Sequence, residues 1–268
     1  MSVVATIAFN VYRESVRDRV LYNLVFFALL VIGASYLIGQ LTAGQDIKII
    51  KDLGLAAISV FGLFIAVFIG IGLVSKEVER RSVYALLAKP VRREQLVLGK
   101  YAGLVLTLLV NVGIMVAVWY AVLGYMSWVE TPQWKATWAA PAADPRMLKA
   151  VALIFVELMI VTAAALFFST FSSPMVSAAL AFGIYVIGQL SPDFKNLGPV
   201  LKSPVVGAIA EALYYLLPNL AAFDVKAEVV HAHPVSTAYL LTTILYGLGY
   251  VAALLVGAMF IFSRRDFK

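Results

Sequence analysis

Apolar residues fall in long blocks along the 268-residue chain, and four blocks of 23 to 30 residues contain no Asp, Glu, Lys or Arg: 20–45, 53–75, 101–129 and 234–263. A helix crossing the hydrocarbon core needs about 20 such residues. A fifth block, 158–192, is 35 residues long and follows the apolar stretch 150–156. If one glutamate is tolerated, 150–192 holds two helices. The polar break Ser169-Thr170-Phe171-Ser172-Ser173-Pro174 marks the turn between them, because proline cannot continue a helix and serines satisfy freed backbone groups. The pattern therefore predicts an all-α polytopic membrane protein with six transmembrane helices, at about 20–42, 53–75, 101–127, 149–170, 173–191 and 235–262.

The remaining segments have their own periodicities. Residues 5–20 read as an amphipathic helix with an apolar stripe of Ala5, Phe9, Tyr12, Val16 and Val20 opposite Asn10, Arg13, Glu14, Arg17 and Asp18. We expect an elbow helix over 1–19 lying on the membrane, or else a helix extending the first span into water. The connection 192–233 contains a helix start at Ser203-Pro204 and a stop at Pro218-Asn219, too short a segment to span. It is expected to lie at the outer interface or to dip in and return. Trp128, Trp134 and Trp138 suit an aromatic belt near the outer headgroups.

Composition closes off the soluble alternative. The chain is 62% apolar and 13% charged, and so little charge cannot cover a soluble domain of this size. The net charge of +6 then becomes a topology signal. Thirteen of the 21 basic residues fall in the N-terminal segment, the 76–100 connection and the C-terminal tail, which predicts that both termini are cytoplasmic. An even number of spans agrees. No cleavable signal peptide is expected, because charge follows the apolar opening rather than preceding it. With no basic soluble domain, nucleic acid is not an expected partner. With no cysteine, thiolate metal sites and thiol catalysis are excluded.

The 76–100 connection, KEVERRSVYALLAKPVRREQLVLGK, reads as helix, kink and helix. Glu77 and Arg81 form an i,i+4 pair, Val83, Leu86 and Leu87 a short apolar face, and Pro90 the break. Set between charged flanks, that apolar face suits docking into a groove of a cytoplasmic protein. Lys76-Glu77, Ser82, Leu86-Leu87, Pro90-Val91, Arg93 and Leu98-Gly99-Lys100, with the early Arg13-Glu14 and the ending Phe262-Ser263-Arg264-Arg265-Asp266-Phe267, resemble the ABC-2 type of ABC transporter permease subunit over essentially the whole chain. It looks closest to the stand-alone permeases of nitrous-oxide-reductase maturation and gliding motility.

The resemblance implies a multi-pass protein of a prokaryotic inner (plasma) membrane and a coupling helix in 76–100 that sits in a cleft of a soluble P-loop ATPase. Carried over by position, Glu77 and Arg81 would brace it, Leu86 and Leu87 would be its buried knuckle, Pro90 its end, and Arg93 and Lys100 cytoplasmic contacts. Glu77 and Arg81 also fit a plain solvated helix pair, and Lys100 a membrane-boundary anchor. The resemblance further implies two ATPase copies, a second permease copy or a sister permease, and leaves room for an outer-side accessory protein. This chain itself carries no P-loop: Gly99-Lys100 is followed by Tyr101 and has Glu94 where the first glycine belongs. ATP and Mg are thus expected on the partner, with no cofactor, catalytic residue or resident metal here.

Within the spans, Glu157 is the one deeply placed ionisable residue, about 12 Å of helix rise below Lys149. It must face protein or water. Two roles fit: contact with a substrate headgroup or ion, or a hydrogen-bonded carboxyl tying this span to Asn111 or a tyrosine on a neighbour. Gly33, Gly39, Gly62, Gly70, Gly72, Gly247 and Gly249 suit close helix packing. His231 and His233 share an outer loop but lack carboxylate or thiolate neighbours at ligand spacing. An intramembrane enzyme lacks its residues here. An ion-coupled carrier, or an ATPase-driven mechanical or scaffold component without solute transport, remain the alternatives to an ATP-coupled permease.

Overall fold

A computed structural model describes residues 2–41, 46–79, 92–194 and 204–264. Most of the described residues are helical, with no strand among them. The helices are α1 (Val3–Ser15), α2 (Arg19–Gln40), α3 (Asp46–Glu79), α4 (Arg93–Val129), the single turn α5 (Pro132–Lys135), α6 (Met147–Ser169), α7 (Pro174–Gln189), α8 (Pro204–Leu216), α9 (Lys226–Val230) and α10 (Thr237–Arg264), with a 3-10 turn at Leu220–Phe223. Five stretches are long and apolar enough to cross a membrane: Arg19–Gln40, Asp46–Ile71, Glu94–Val129, Met147–Ser169 and Thr237–Ser263. The sixth expected span corresponds to α7, which has 16 residues and rises about 24 Å, against about 30 Å of hydrocarbon core. A turn at Leu190 ends it, and residues 191–194 are helical again.

Local chemistry sets the helix boundaries. The Ser2 hydroxyl accepts from the Ala5 amide to start α1, and Asp18 accepts from Val20 to start α2, so the expected helix over 5–20 is two helices with a cap between them. The break between α6 and α7 falls at the serine cluster, where Ser172 and Ser177 share a 2.7 Å hydrogen bond and Pro174 opens α7. Pro204 likewise opens α8.

Helix α6 forms the core. Most of its residues are buried, as befits a helix that is apolar all round, and it packs on α3, α10, α7 and α4. Glycine notches receive it on two sides. On α3, a Cβ added at Gly62 would lie 2.5 Å from Leu158 Cδ1, and one at Gly70 would lie 2.6 Å from Ala165 Cβ. On α10, one at Gly247 would lie 2.5 Å from Val156 Cγ1, and one at Gly257 would lie 3.0 Å from Phe167 Cε2. Gly39 also packs closely, onto Asp46 and Ile50, whereas Gly33 and Gly249 have no neighbouring atom within 4 Å.

Helix α1 lies along the first half of α4. Its inward face is Ile7, Ala8, Val11 and Ser15, seated on Gly99 and Gly103, where an added Cβ would meet Ile7 Cβ at 2.7 Å and the Ala8 carbonyl oxygen at 2.5 Å. The stripe expected to be the helix's apolar face points elsewhere: Phe9 and Val20 are exposed. The elbow therefore carries two apolar faces, one for protein and one left free.

At the opposite end of the bundle from Glu79 and Arg93, the connection 130–146 folds over the start of α3. The Lys51 ammonium donates to the Pro141 carbonyl at 2.9 Å, Trp134 Nε1 to Asp46 Oδ2 at 3.2 Å, Trp119 Nε1 to the Ile50 carbonyl at 3.2 Å, and the Tyr120 hydroxyl to the Asp144 carbonyl at 3.0 Å. These bonds let α3 begin seven residues before its charge-free run, because Asp46 and Lys51 are buried with partners. Of the three tryptophans assigned to an interfacial belt, Trp128 and Trp134 are exposed, and Trp134 also reaches Asp46 with its ring N–H.

The notches give paired expectations. Gly70→Ala should lower stability by about 1–3 kcal/mol, since Ala165 cannot yield without moving α6. Gly33→Ala, with open space around it, should be neutral or stabilising by up to about 1 kcal/mol through helix propensity. Thermal unfolding of the detergent-solubilised variants measures both, and a Gly70→Ala melting point equal to the parent's would contradict the seam.

Candidate functional site

Glu157 sits in the third turn of α6 and is 1% exposed. A carboxyl so placed needs a hydrogen-bonding partner, and the Gln189 side-chain amide donates to its Oε1. Gln189 is the last residue of α7, and one turn earlier Tyr185 lies within interaction range of the Gln189 and Ser59 side chains. Ser59 is a buried residue of α3. Three helices thus meet at one polar cluster inside an otherwise apolar bundle.

Asn111 is elsewhere. Its Nδ2 donates to the Thr107 carbonyl at 2.7 Å, and Thr107 donates to Gly103 at 2.9 Å, so it belongs to a string of bonds along α4 itself. Glu157 is tied to α7 through Gln189 rather than to Asn111. Tyr185 and Gln189 were legible only as a lone phenol and a lone amide at i,i+4 in an apolar run, a spacing that puts them on one face of a helix.

The cluster is covered by irregular chain. Residues 217–230 fold back between α6, α7 and α10: Leu220 and Phe223 are fully buried, and Gly188 of α7 accommodates Leu220 and the Pro218 carbonyl. Non-helical backbone at this depth must find partners inside the protein. Three tyrosines on one face of α10 supply them. The Tyr239 hydroxyl donates to the Ala222 carbonyl at 2.7 Å, Tyr246 accepts from the Asn219 amide at 2.9 Å, and Tyr250 reaches the Leu217 carbonyl at 3.4 Å. The 3.3 Å ion pair of Asp224 and Lys226 lies within electrostatic range of Glu157.

Beyond this cover, α9 ends at Ala232, whose left-handed φ of 60° lets the His233 amide reach the Glu228 carbonyl at 2.7 Å, a Schellman stop. His231 and His233 flank it with ring centroids 6.2 Å apart, and His231 Nδ1 lies 2.9 Å from the Ala227 carbonyl. Among the described residues, no group of three or more His, Asp or Glu is placed to hold a metal ion.

The residues assigned to ATPase coupling lie at the other end. Glu77 is on the last turn of α3, Arg93 opens α4, and Lys100 is buried two turns further along α4. Arg81, Leu86, Leu87 and Pro90 lie outside the described residues. Both flanking helices run unbroken into the bundle. At 34 and 37 residues they rise about 51 and 56 Å, well beyond a 30 Å hydrocarbon core.

Comparison with known proteins adds one match: the family model described as ABC-2 family transporter protein covers residues 5–267. No curated protein matches the chain.

The polar cluster makes a specific stability expectation. Gln189→Leu strands a buried carboxyl and should cost about 1–3 kcal/mol, while Glu157→Leu combined with Gln189→Leu should recover much of that loss, because an apolar pair leaves nothing unpartnered. A double-mutant cycle on thermal unfolding measures this. Additive losses would show that the two side chains do not interact.

Proposed function

The chain belongs to the ABC-2 family of transporter proteins, and from that premise we propose that it is the permease subunit that couples ATP hydrolysis by a separate ATPase to movement of a substrate across the membrane. The observation that carries this reading is the pair of unbroken helices leading to 80–92. Helix α3 continues four residues past its charge-free run, and α4 begins eight residues, about 12 Å, before its own. The segment expected to dock on an ATPase is therefore carried on two helical stalks rather than on loops. A push on 80–92 would be delivered as displacement of whole helices, since helices transmit axial force without the slack of a coil.

The elbow supports the same reading. With α1 seated on Gly99 and Gly103, the first stalk turns of α4 and the elbow form one packed unit. The excess of basic residues at this end, including Arg13, Arg17 and Arg19, favours a cytoplasmic face. On this assignment the ATPase, present in two copies with a second permease, binds there, and the Glu157 cluster with its cover lies toward the outer side. The membrane is the inner (plasma) membrane of a prokaryote.

Two measurements test the proposal. The chain should co-purify with a soluble P-loop ATPase, and Glu77→Lys, or Leu86→Asp with Leu87→Asp, should reduce that association at least about tenfold, as expected when a charge or carboxylates meet a fitted groove. Undiminished association in both variants would overturn the coupling assignment. Glu157→Gln, which keeps the acceptor for Gln189, should leave the complex assembled but change ATP turnover in the presence of substrate. Unchanged turnover would leave Glu157 a packing residue.

A further inference from the structure

A groove between the end of α8 and the first half of α10 borders the cover of the Glu157 cluster but includes neither Glu157 and its partners nor the stalks. Its volume of about 510 Å³ is that of a small-ligand site. Tyr214 and Tyr215, Asn219, and Thr242, Thr243 and Tyr246 line it, and no lining residue is an acid, a lysine, an arginine or a histidine. Thr243 is 6% exposed, yet its hydroxyl makes no hydrogen bond among the described residues, and neither do those of Tyr214 and Tyr215. Most other buried hydroxyls are engaged: Thr107, Thr162, Ser35 and Ser169 all bond to carbonyls of their own helices, whereas Ser191 Oγ also lacks a partner.

Depth and chemistry together select an occupant. Thr242 and Tyr246 lie about 20 residues from the Arg264 end of α10, so if that charged end marks one face of the hydrocarbon core, a core about 30 Å thick reaches its other boundary beside them. A phosphate or carboxylate would find no cation here. A hydrocarbon tail alone would leave the hydroxyls without partners, which is unfavourable away from water. Neutral acceptors abundant at that depth are the ester carbonyls of glycerolipids.

We infer that the groove binds a membrane lipid by its glycerol-ester region, with the hydroxyls of Thr243 and the α8 tyrosines donating to ester carbonyls. The headgroup then projects past the Thr237 end of α10. The acyl chains lie along the flank formed by Leu245, 67% exposed, and Gly249, whose surface has no neighbouring atom within 4 Å. Because Asn219 lines the groove and is held by Tyr246, a bound lipid also packs against the irregular cover of the Glu157 cluster. The inference rests on α10 crossing the bilayer and is independent of any ATPase.

Native mass spectrometry of the intact chain released from nanodiscs tests it with three probes: diester phosphatidylglycerol, its diether analogue of the same headgroup and chains, and diester phosphatidylcholine. The two diesters should be retained alike, and the diether about tenfold less, as for the loss of one to two neutral hydrogen bonds. Thr243→Val with Tyr214→Phe should bring the diester down to the diether level, and Thr243→Val alone gives the same direction if the double variant fails to assemble. Thr242→Val should retain lipid as the parent does, because that hydroxyl is committed to the Ala238 and Tyr239 carbonyls. Equal retention of diester and diether, retention that follows headgroup charge, or a Thr243→Val variant that binds as the parent does would each overturn the inference.

Discussion

Close backbone approach around α6 is the constraint on which the rest of this bundle depends. In a bilayer, apolar side chains gain nothing by leaving lipid for protein, so helices associate through fitted contacts and hydrogen bonds. Gly62 and Gly70 on α3 and Gly247 and Gly257 on α10 provide the fit, each receiving a side chain of α6. The same closeness makes room for Glu157. With α3 and α7 drawn in, Ser59 and Tyr185 complete a cluster in which the carboxyl has a partner. A looser bundle would leave that carboxyl facing lipid, which even lenient scales put near 3 kcal/mol.

The two ends of the bundle solve opposite problems. Toward 80–92 the chain continues as helix, so its backbone groups are satisfied within each segment and the ends are stiff. At the other end it leaves helix while still at membrane depth, and satisfaction has to come from side chains. Tyr239, Tyr246 and Tyr250 do this for 217–222, and Lys51, Trp119 and Tyr120 do it for the connection 130–146 and the start of α3. Tyrosine suits the task because its ring is at home in the interface while its hydroxyl reaches a carbonyl or an amide.

Much of the architecture was legible in the sequence because bilayer thickness imposes a length scale that composition can be read against. The serine-proline break at 169–174 and the proline start of α8 appear where local chemistry put them. Four things were not legible. The start of α3 at Asp46 lies beyond the charge-free run, since burial of Asp46 and Lys51 depends on partners about 90 residues away. The protein-facing side of α1 could not be read: the apolar stripe was expected to lie on the membrane, an apolar stripe does not say whether lipid or protein covers it, and the residues that fix the packed face, Gly99 and Gly103, lie on another helix. Glycines alone are likewise ambiguous, since Gly62 and Gly70 receive neighbours while Gly33 and Gly249 do not. The partner of Glu157 could not be chosen without helix rotations, which set Gln189 rather than Asn111 beside it.

On the ATP-driven reading, the contrast between stiff and irregular ends has a mechanical consequence. Both stalk helices, α3 and α4, pack on α6, and α6 packs on the 3-10 turn that covers Glu157, so the parts form one contiguous packed body. Within it, the glycine seams resist separation because opening them loses many fitted contacts at once. The cover is held by hydroxyl-to-backbone bonds that are each worth about 1 kcal/mol net, and by the buried side chains of Leu220 and Phe223. If force enters along the stalks, the seams pass it to α6 and so to the cover packed on it. Contiguity alone does not establish coupling; that takes an element with two arrangements. The cover over Glu157 is where such an exchange would act, since its backbone is tied to α10 by side-chain hydroxyls rather than by helical bonds.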